Sequence, residues 1–79
     1  MKLTYDLKYN IGYIKFKEKS EDLTTLKVSE DMLIDIASDG TIYGIELLNI
    51  KKQLFADNNH DLLLVNENTG IEKQVEMPY

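Results

Sequence analysis

Asp35 and Glu46 are the two residues of this sequence best placed to do chemistry together. They lie in the runs Met32-Leu33-Ile34-Asp35-Ile36-Ala37 and Thr41-Ile42-Tyr43-Gly44-Ile45-Glu46-Leu47. If these runs pair as a hairpin around Asp39-Gly40, Asp35 falls opposite Gly44 and Glu46 opposite Leu33. The two carboxylates are then diagonal neighbours on one face, about 7–8 Å apart at Cα. Gly44 leaves room beside Asp35. Such a pair suits acid–base work or a divalent cation, given further ligands or an orienting partner. The same pattern suits two charges on the wetter face of a sheet, or Asp35 bonding a neighbouring backbone group. Tyr13 completes a candidate functional surface of Asp35, Gly44, Glu46 and Tyr13. It sits on the lysine-bearing face of its strand, and tyrosine is favoured at protein contacts.

Other chemistry-bearing residues assemble nothing. His60 precedes Asp61, and a His–Asp pair can orient a general base. No serine or cysteine nucleophile can be tied to it, so it reads as a loop histidine. Asp31, Asp35 and Asp39 are spaced by four. A calcium loop instead needs ligands at alternate positions, a central glycine and a distant bidentate glutamate. Gly40 and Gly44 are too few for a phosphate-cradling loop. No catalytic, cofactor-binding or metal-ligating residue is assigned, and no cofactor is expected.

The elements that would position this surface follow from alternation and turn chemistry. Asp-Gly between β-branched runs predicts a two-residue type I′ turn. Ser38 then faces Thr41, Ile36 faces Tyr43, Ile34 faces Ile45 and Met32 faces Leu47. A slip of one residue would scramble that sorting. At the N-terminus, Leu3–Asp6 and Ile11–Lys17 alternate with period two. A four-residue loop, Leu7–Asn10, opposes Asp6 to Ile11, Tyr5 to Gly12 and Leu3 to Ile14. Lys19 to Asp22 reads as a polar turn, and Leu23 to Ser29 as a strand. Glu30-Asp31 turns the chain into the central hairpin. Residues 1–48 thus read as an antiparallel β-meander of about five strands. The predicted core is Leu3, Tyr5, Ile14, Phe16, Met32, Ile34, Ile36, Tyr43, Ile45 and Leu47.

Asn49 is a good helix N-cap. A short helix near 50–56 would dock Ile50, Leu54 and Phe55 on the sheet, since two turns do not stand alone in water. Residues 61–77 predict a C-terminal hairpin, with Gly70 closing its loop in a left-handed conformation. The fold class is α+β, mostly β. A single small domain spans 1–79: meander 1–48, short helix 49–57 and hairpin extension 61–77.

Composition limits what such a fold can do. The chain has 79 residues, no cysteine and one histidine. Disulfides, thiolate sites and multi-histidine centres are excluded. All the basic residues are lysines, and the net charge of −5 argues against a nucleic-acid backbone binder. Charge is uneven: residues 1–20 balance to +3, residues 21–48 to −6 and residues 49–79 to −2. The first two segments can attract each other within one sheet, or the acidic one can face a basic partner. The longest apolar run, Leu62–Val65, is strand length and far short of a membrane span. No secretory pattern opens the chain. Cytoplasmic residence is the expectation.

Several segments resemble a small prokaryotic family, domain of unknown function 2283. They are Lys2-Leu3-Thr4-Tyr5-Asp6, Tyr13-Ile14-Lys15-Phe16, Ile34-Asp35-Ile36 through Asp39-Gly40, and Tyr43-Gly44-Ile45-Glu46-Leu47-Leu48-Asn49. The resemblance covers about residues 1–52, and residues 53–79 extend beyond the family's usual pattern. It implies a compact β-meander with little helix and carries over no catalytic residue. Some members sit beside small toxin-like proteins, which implies an antitoxin-like role.

Two classes of function remain. One is a non-enzymatic module that binds a protein partner or itself, in its sharper form an antitoxin-like or phage-type inhibitor acting through acidic residues 21–46. The other is a small metal-binding or acid–base enzyme built on Asp35 and Glu46. A small sheet with one short helix leaves a face or edge uncovered, which favours the first. A homodimer is expected, because a core this small without disulfides or metal gains most from association. Nucleic acid and membrane are not expected partners.

Overall fold

The computed structural model describes residues 1–18 and 22–79. Among these residues seven strands form: β1 (Lys2–Asp6), β2 (Ile11–Lys15), β3 (Leu23–Ser29), β4 (Met32–Ala37), β5 (Ile42–Leu48), β6 (Asp61–Asn66) and β7 (Ile71–Glu76). A single helical turn, α1 (Ile50–Gln53), and a 3₁₀ turn (Ala56–Asn58) link β5 to β6. The mostly β fold class expected from the sequence holds, with a five-stranded antiparallel sheet, a short helix and a C-terminal hairpin. The polar turn expected over residues 19–22 lies, apart from Asp22, outside the described residues. Among the described residues no helix is long and apolar enough to cross a membrane.

Strand order in the main sheet is β1-β2-β5-β4-β3, not the sequential order of a plain meander. The β1–β2 hairpin swings round to lay β2 against β5, and β3 becomes the far edge. Alternation identifies strands but does not name their neighbours. This order sets the lysine-rich N-terminal hairpin directly against the acidic β3–β5 unit.

Register in the first hairpin is as the four-residue loop predicts: Asp6 opposes Ile11, Tyr5 opposes Gly12 and Leu3 opposes Ile14. The central hairpin keeps Met32–Leu47, Ile34–Ile45 and Asp35–Gly44. Its turn differs from the expected type I′. Gly40 N–H donates to Ala37 O at 3.0 Å and Ala37 N–H to Thr41 O at 2.9 Å. Gly40 is left-handed (φ 89°) and Asp39 is not. This is a three-residue loop, a type I turn closed by a left-handed glycine, which needs only one positive φ. The register therefore shifts between Asp35 and Ile36, and Ile36 opposes Ile42 in place of Tyr43. The Tyr43 carbonyl accepts from Phe16 N–H at 2.9 Å and Lys17 N–H at 3.2 Å.

One apolar row, Leu3–Ile14–Ile45–Ile34–Leu26, crosses all five strands. Only part of this face is covered. The buried apolar residues are Leu47, Ile50, Phe55 and Met77, with Leu3, Tyr5, Leu7, Ile14, Met32, Ile45 and Leu54 packed around them. Ile50, Leu54 and Phe55 dock as the helical stripe predicts, but the core expected along the sheet is less covered than its alternation implies. Leu47 alone of that set is buried, most others are half-buried, and Phe16 is 41% exposed. Geometry explains the shortfall. Five strands at ~4.8 Å spacing make a face roughly 20 Å wide, and one helix covers about half of it.

Gly12 lets the helix approach. A Cβ there would sit 3.3 Å from both Ile50 Cγ2 and Thr4 O. The start of α1 is held by Asn10, in the β1–β2 loop. Lys51 N–H donates to Asn10 Oδ1 at 2.8 Å, and Ile50 N–H to Asn10 O at 3.3 Å. Asn49 occupies the N-cap position but makes no side-chain cap bond. Instead its Oδ1 accepts from Asn10 Nδ2 at 3.2 Å. Both asparagines are left-handed (φ 61° and 55°), a conformation asparagine tolerates better than most residues.

The tail returns to this end of the sheet. Met77 N–H donates to His60 O at 2.7 Å, and the Tyr5 hydroxyl donates to Pro78 O. Rings of Tyr5, His60 and Tyr79 surround Phe55. Between His60 and Met77, β6 and β7 form a separate two-stranded sheet, exposed along its whole length.

Candidate functional site

The face of the sheet opposite the helix gathers all four candidate residues. Tyr13 on β2 opposes Glu46 on β5, and Gly44 on β5 opposes both Lys15 on β2 and Asp35 on β4. The Tyr13 ring lies diagonally over Gly44. Its hydroxyl donates to Asp35 Oδ2 at 2.6 Å. From β3, the Thr25 hydroxyl donates to Asp35 Oδ1 at 2.7 Å. Asp35 is 8% exposed, the single buried charged residue among those described. Both its oxygens accept a hydrogen bond, one from adjacent β3 and one from β2 across β5, which is what a buried carboxylate requires.

Gly44 makes this arrangement possible. A Cβ at that position would stand 2.0 Å from the Tyr13 hydroxyl and 2.4 Å from Cζ. The space left beside Asp35 is therefore filled by Tyr13 and not by a ligand. Desolvation pushes the Tyr13 phenol up to about 12, reinforced by its bond to Asp35 and the negative charges of Asp35 and Glu46. The hydroxyl stays protonated and acts as a donor across the neutral range.

Glu46 is diagonal to Asp35, as expected, but does not join this network through a hydrogen bond of its own. It borders a shallow open depression with Thr4, Asp6, Ile11 and Tyr13. Among the described residues no group of three or more His, Asp or Glu side chains gathers that could hold a metal ion. The chemistry supported here is mechanical. The network ties β2, β4 and β3 together, passing over β5, on the face opposite α1.

The second candidate surface is the C-terminal hairpin. Leu62, Leu63, Leu64 and Val65 are 41–54% exposed. Leu62 opposes Val75 and Leu64 opposes Lys73 on one face, while Leu63 opposes Gln74 and Val65 opposes Glu72 on the other. Apolar side chains thus project from both faces of a ribbon that lies outside the core. His60, at its base, packs edge-on to Tyr79 at 4.0 Å between ring centres. Its ring belongs to the aromatic cluster with Phe55 and Tyr79.

A family model described as a protein of unknown function, DUF2283, matches residues 2–51. The chain belongs to that family. The match takes in β1 to β5 and the start of α1, so every member of the Tyr13–Asp35 network lies within the DUF2283 region. The exposed hairpin lies outside it. No curated protein and no solved structure matches the chain.

Thr25 was absent from the sequence-derived surface. A two-residue turn at Glu30-Asp31 would have placed Leu26 opposite Asp35. An irregularity between Lys27 and Ser29 shifts β3 by one residue and brings Thr25 there. Nothing in the local sequence marks that bulge.

Proposed function

We propose that this chain is a non-catalytic interaction module that binds protein through its C-terminal hairpin. The observation that carries the reading is the exposure of Leu62–Val65 on both faces of a two-stranded ribbon outside the core. A lone two-stranded hairpin is marginal in water at best. Contiguous exposed apolar surface of this kind marks a contact with another molecule. The DUF2283 sheet, held by the Tyr13–Asp35–Thr25 network and by Asn10, is the platform from which the hairpin projects. An antitoxin-like or phage-type inhibitor is the sharper form of this reading, with acidic residues 21–46 beside a basic partner.

The competing reading, an acid–base or metal site on Asp35 and Glu46, has less support. Asp35 is buried with both oxygens engaged, and Tyr13 fills the space above Gly44. Asp35→Asn and Glu46→Gln are expected to alter stability or binding only. A metal-dependent turnover abolished by either change would reverse the preference.

Hydrogen exchange tests the binding reading. In dilute isolated chain, the β6 and β7 amides should exchange fast while β5 stays protected. Adding an extract of the native host should protect β6 and β7, and Leu64→Lys should remove that protection. A hairpin fully protected in the dilute chain, or unprotected in every mixture, would contradict it.

A further inference from the structure

We propose that the hairpin's partner is a second copy of this chain, paired antiparallel along the outer edge of β6 with Leu63 opposite Leu63 of the second copy. This rests on reading the hairpin as the binding element and names what it binds. Met77 N–H donates to His60 O and Gly70 N–H to Asn66 O, so even-numbered residues of β6 turn their backbone groups toward β7. Asp61, Leu63 and Val65 therefore turn theirs outward, where no strand among the described residues pairs with them. An unpaired edge of this kind is a template for another strand.

Symmetry narrows the register. In an antiparallel pair related by a two-fold axis normal to the sheet, one residue opposes its own copy. Centring on Leu63 opposes Leu62 to Leu64 and Asp61 to Val65, with no like charges facing. The outward groups of Leu63 meet those of the second Leu63, and Val65 N–H meets the Asp61 carbonyl. The Asp61 N–H is already taken by Asn59 Oδ1 at 3.0 Å and loses nothing. Centring on Leu64 opposes Asp61 to Glu67, two like charges, which is unfavourable. The outer edge of β7 is worse: centring on Lys73 opposes lysine to lysine, and centring on Gln74 opposes Glu72 to Glu76 twice.

The other edges are weaker competitors. On β1 the apolar side chains Leu3 and Tyr5 are already packed against the core, so pairing there buries little more. On β3 the register shift between Lys27 and Ser29 bends the strand, and Lys27 lies on it, both devices that blunt an edge. Pairing at β6 joins the two hairpins into one four-stranded sheet, the size at which such ribbons become independently stable. A closed two-fold dimer is also the commonest soluble assembly.

The test uses full-length chains at micromolar concentration. Since the protein has no cysteine, Leu63→Cys and Val65→Cys each introduce a single thiol. Directly opposed residues in a hydrogen-bonded pair lie about 5.5 Å apart at Cα, within disulfide reach. The two Val65 positions would be roughly 13 Å apart along the strands, beyond it. Oxidised L63C should become a covalent dimer and V65C should not. In sedimentation equilibrium the unmodified chain should be a dimer, L63K should be a monomer, and the β3 control L26K should remain a dimer. Loss of the dimer in L26K but not L63K, equal cross-linking of both cysteines, or a monomeric unmodified chain would overturn the proposal. A monomer whose hairpin is protected by host extract would defeat self-pairing and leave the binding reading standing.

Discussion

The hydroxyl of Tyr13 crosses the strand between them to reach Asp35, donating to Oδ2 at 2.6 Å over the bare backbone of Gly44. With Thr25 on the other oxygen, this one carboxylate links three strands to each other and passes over a fourth. A half-covered sheet gains rigidity from it that its small core does not supply.

Gly44→Ala is expected to destabilise the protein by about 1–3 kcal/mol, because the methyl group displaces Tyr13 and breaks its hydrogen bond to the buried Asp35. In a Tyr13→Ala background the same change should cost much less. Urea melts of the four proteins form a double-mutant cycle. Additive losses would show that Gly44 does not act through Tyr13.

Alkaline pH should weaken the fold. The Tyr13 phenol is raised from 10.0 to about 12 in the folded protein, so the folded state holds its proton more tightly than the unfolded chain. The stability this contributes is complete below pH ~10 and is lost as pH rises through ~12. Denaturant melts should show a decline across that window, and Tyr13→Phe should reduce the decline. Tyrosinate absorbance should likewise lose a late-titrating component in the variant.

Asn10→Gly should cost about 0.5–1.5 kcal/mol, the usual net contribution of a hydrogen bond. Glycine accepts the left-handed backbone, so the change isolates the loss of the Asn10 side-chain bonds to Lys51 and Asn49. The loss should be visible in thermal melts. An unchanged stability would mean that docking of Ile50 alone holds α1 in place.

Truncations in the core should rank by burial. Ile50 is fully buried, so Ile50→Ala should cost about 2–5 kcal/mol. Ile34, half-buried on the uncovered part of the sheet, should cost less on the same change. The reverse order in urea melts would mean that the open face is covered in solution.

What the sequence made legible was local pairing. The Leu7–Asn10 loop and Gly12 were enough to read the first hairpin residue by residue, and the Asp35–Gly44 pairing followed from the central one. The turn between β4 and β5 was misread because Asp-Gly suits both a two-residue turn and a three-residue loop, and only the backbone decides between them. Thr25 needed a bulge in β3 that no residue announces. Asn10 caps a helix some forty positions later, a contact created by laying β2 beside β5. Each miss is a long-range or one-residue effect, invisible to period-two alternation.

Binding through the β6 edge is read out at single residues by amide hydrogen exchange at Leu63 and Val65, followed as the chain is diluted. These amides point away from β7 and have no strand partner among the described residues. Protection at micromolar concentration that disappears on dilution, while β5 stays protected, is the predicted result. Fast exchange at every concentration, with or without host extract, would contradict a binding role for this strand.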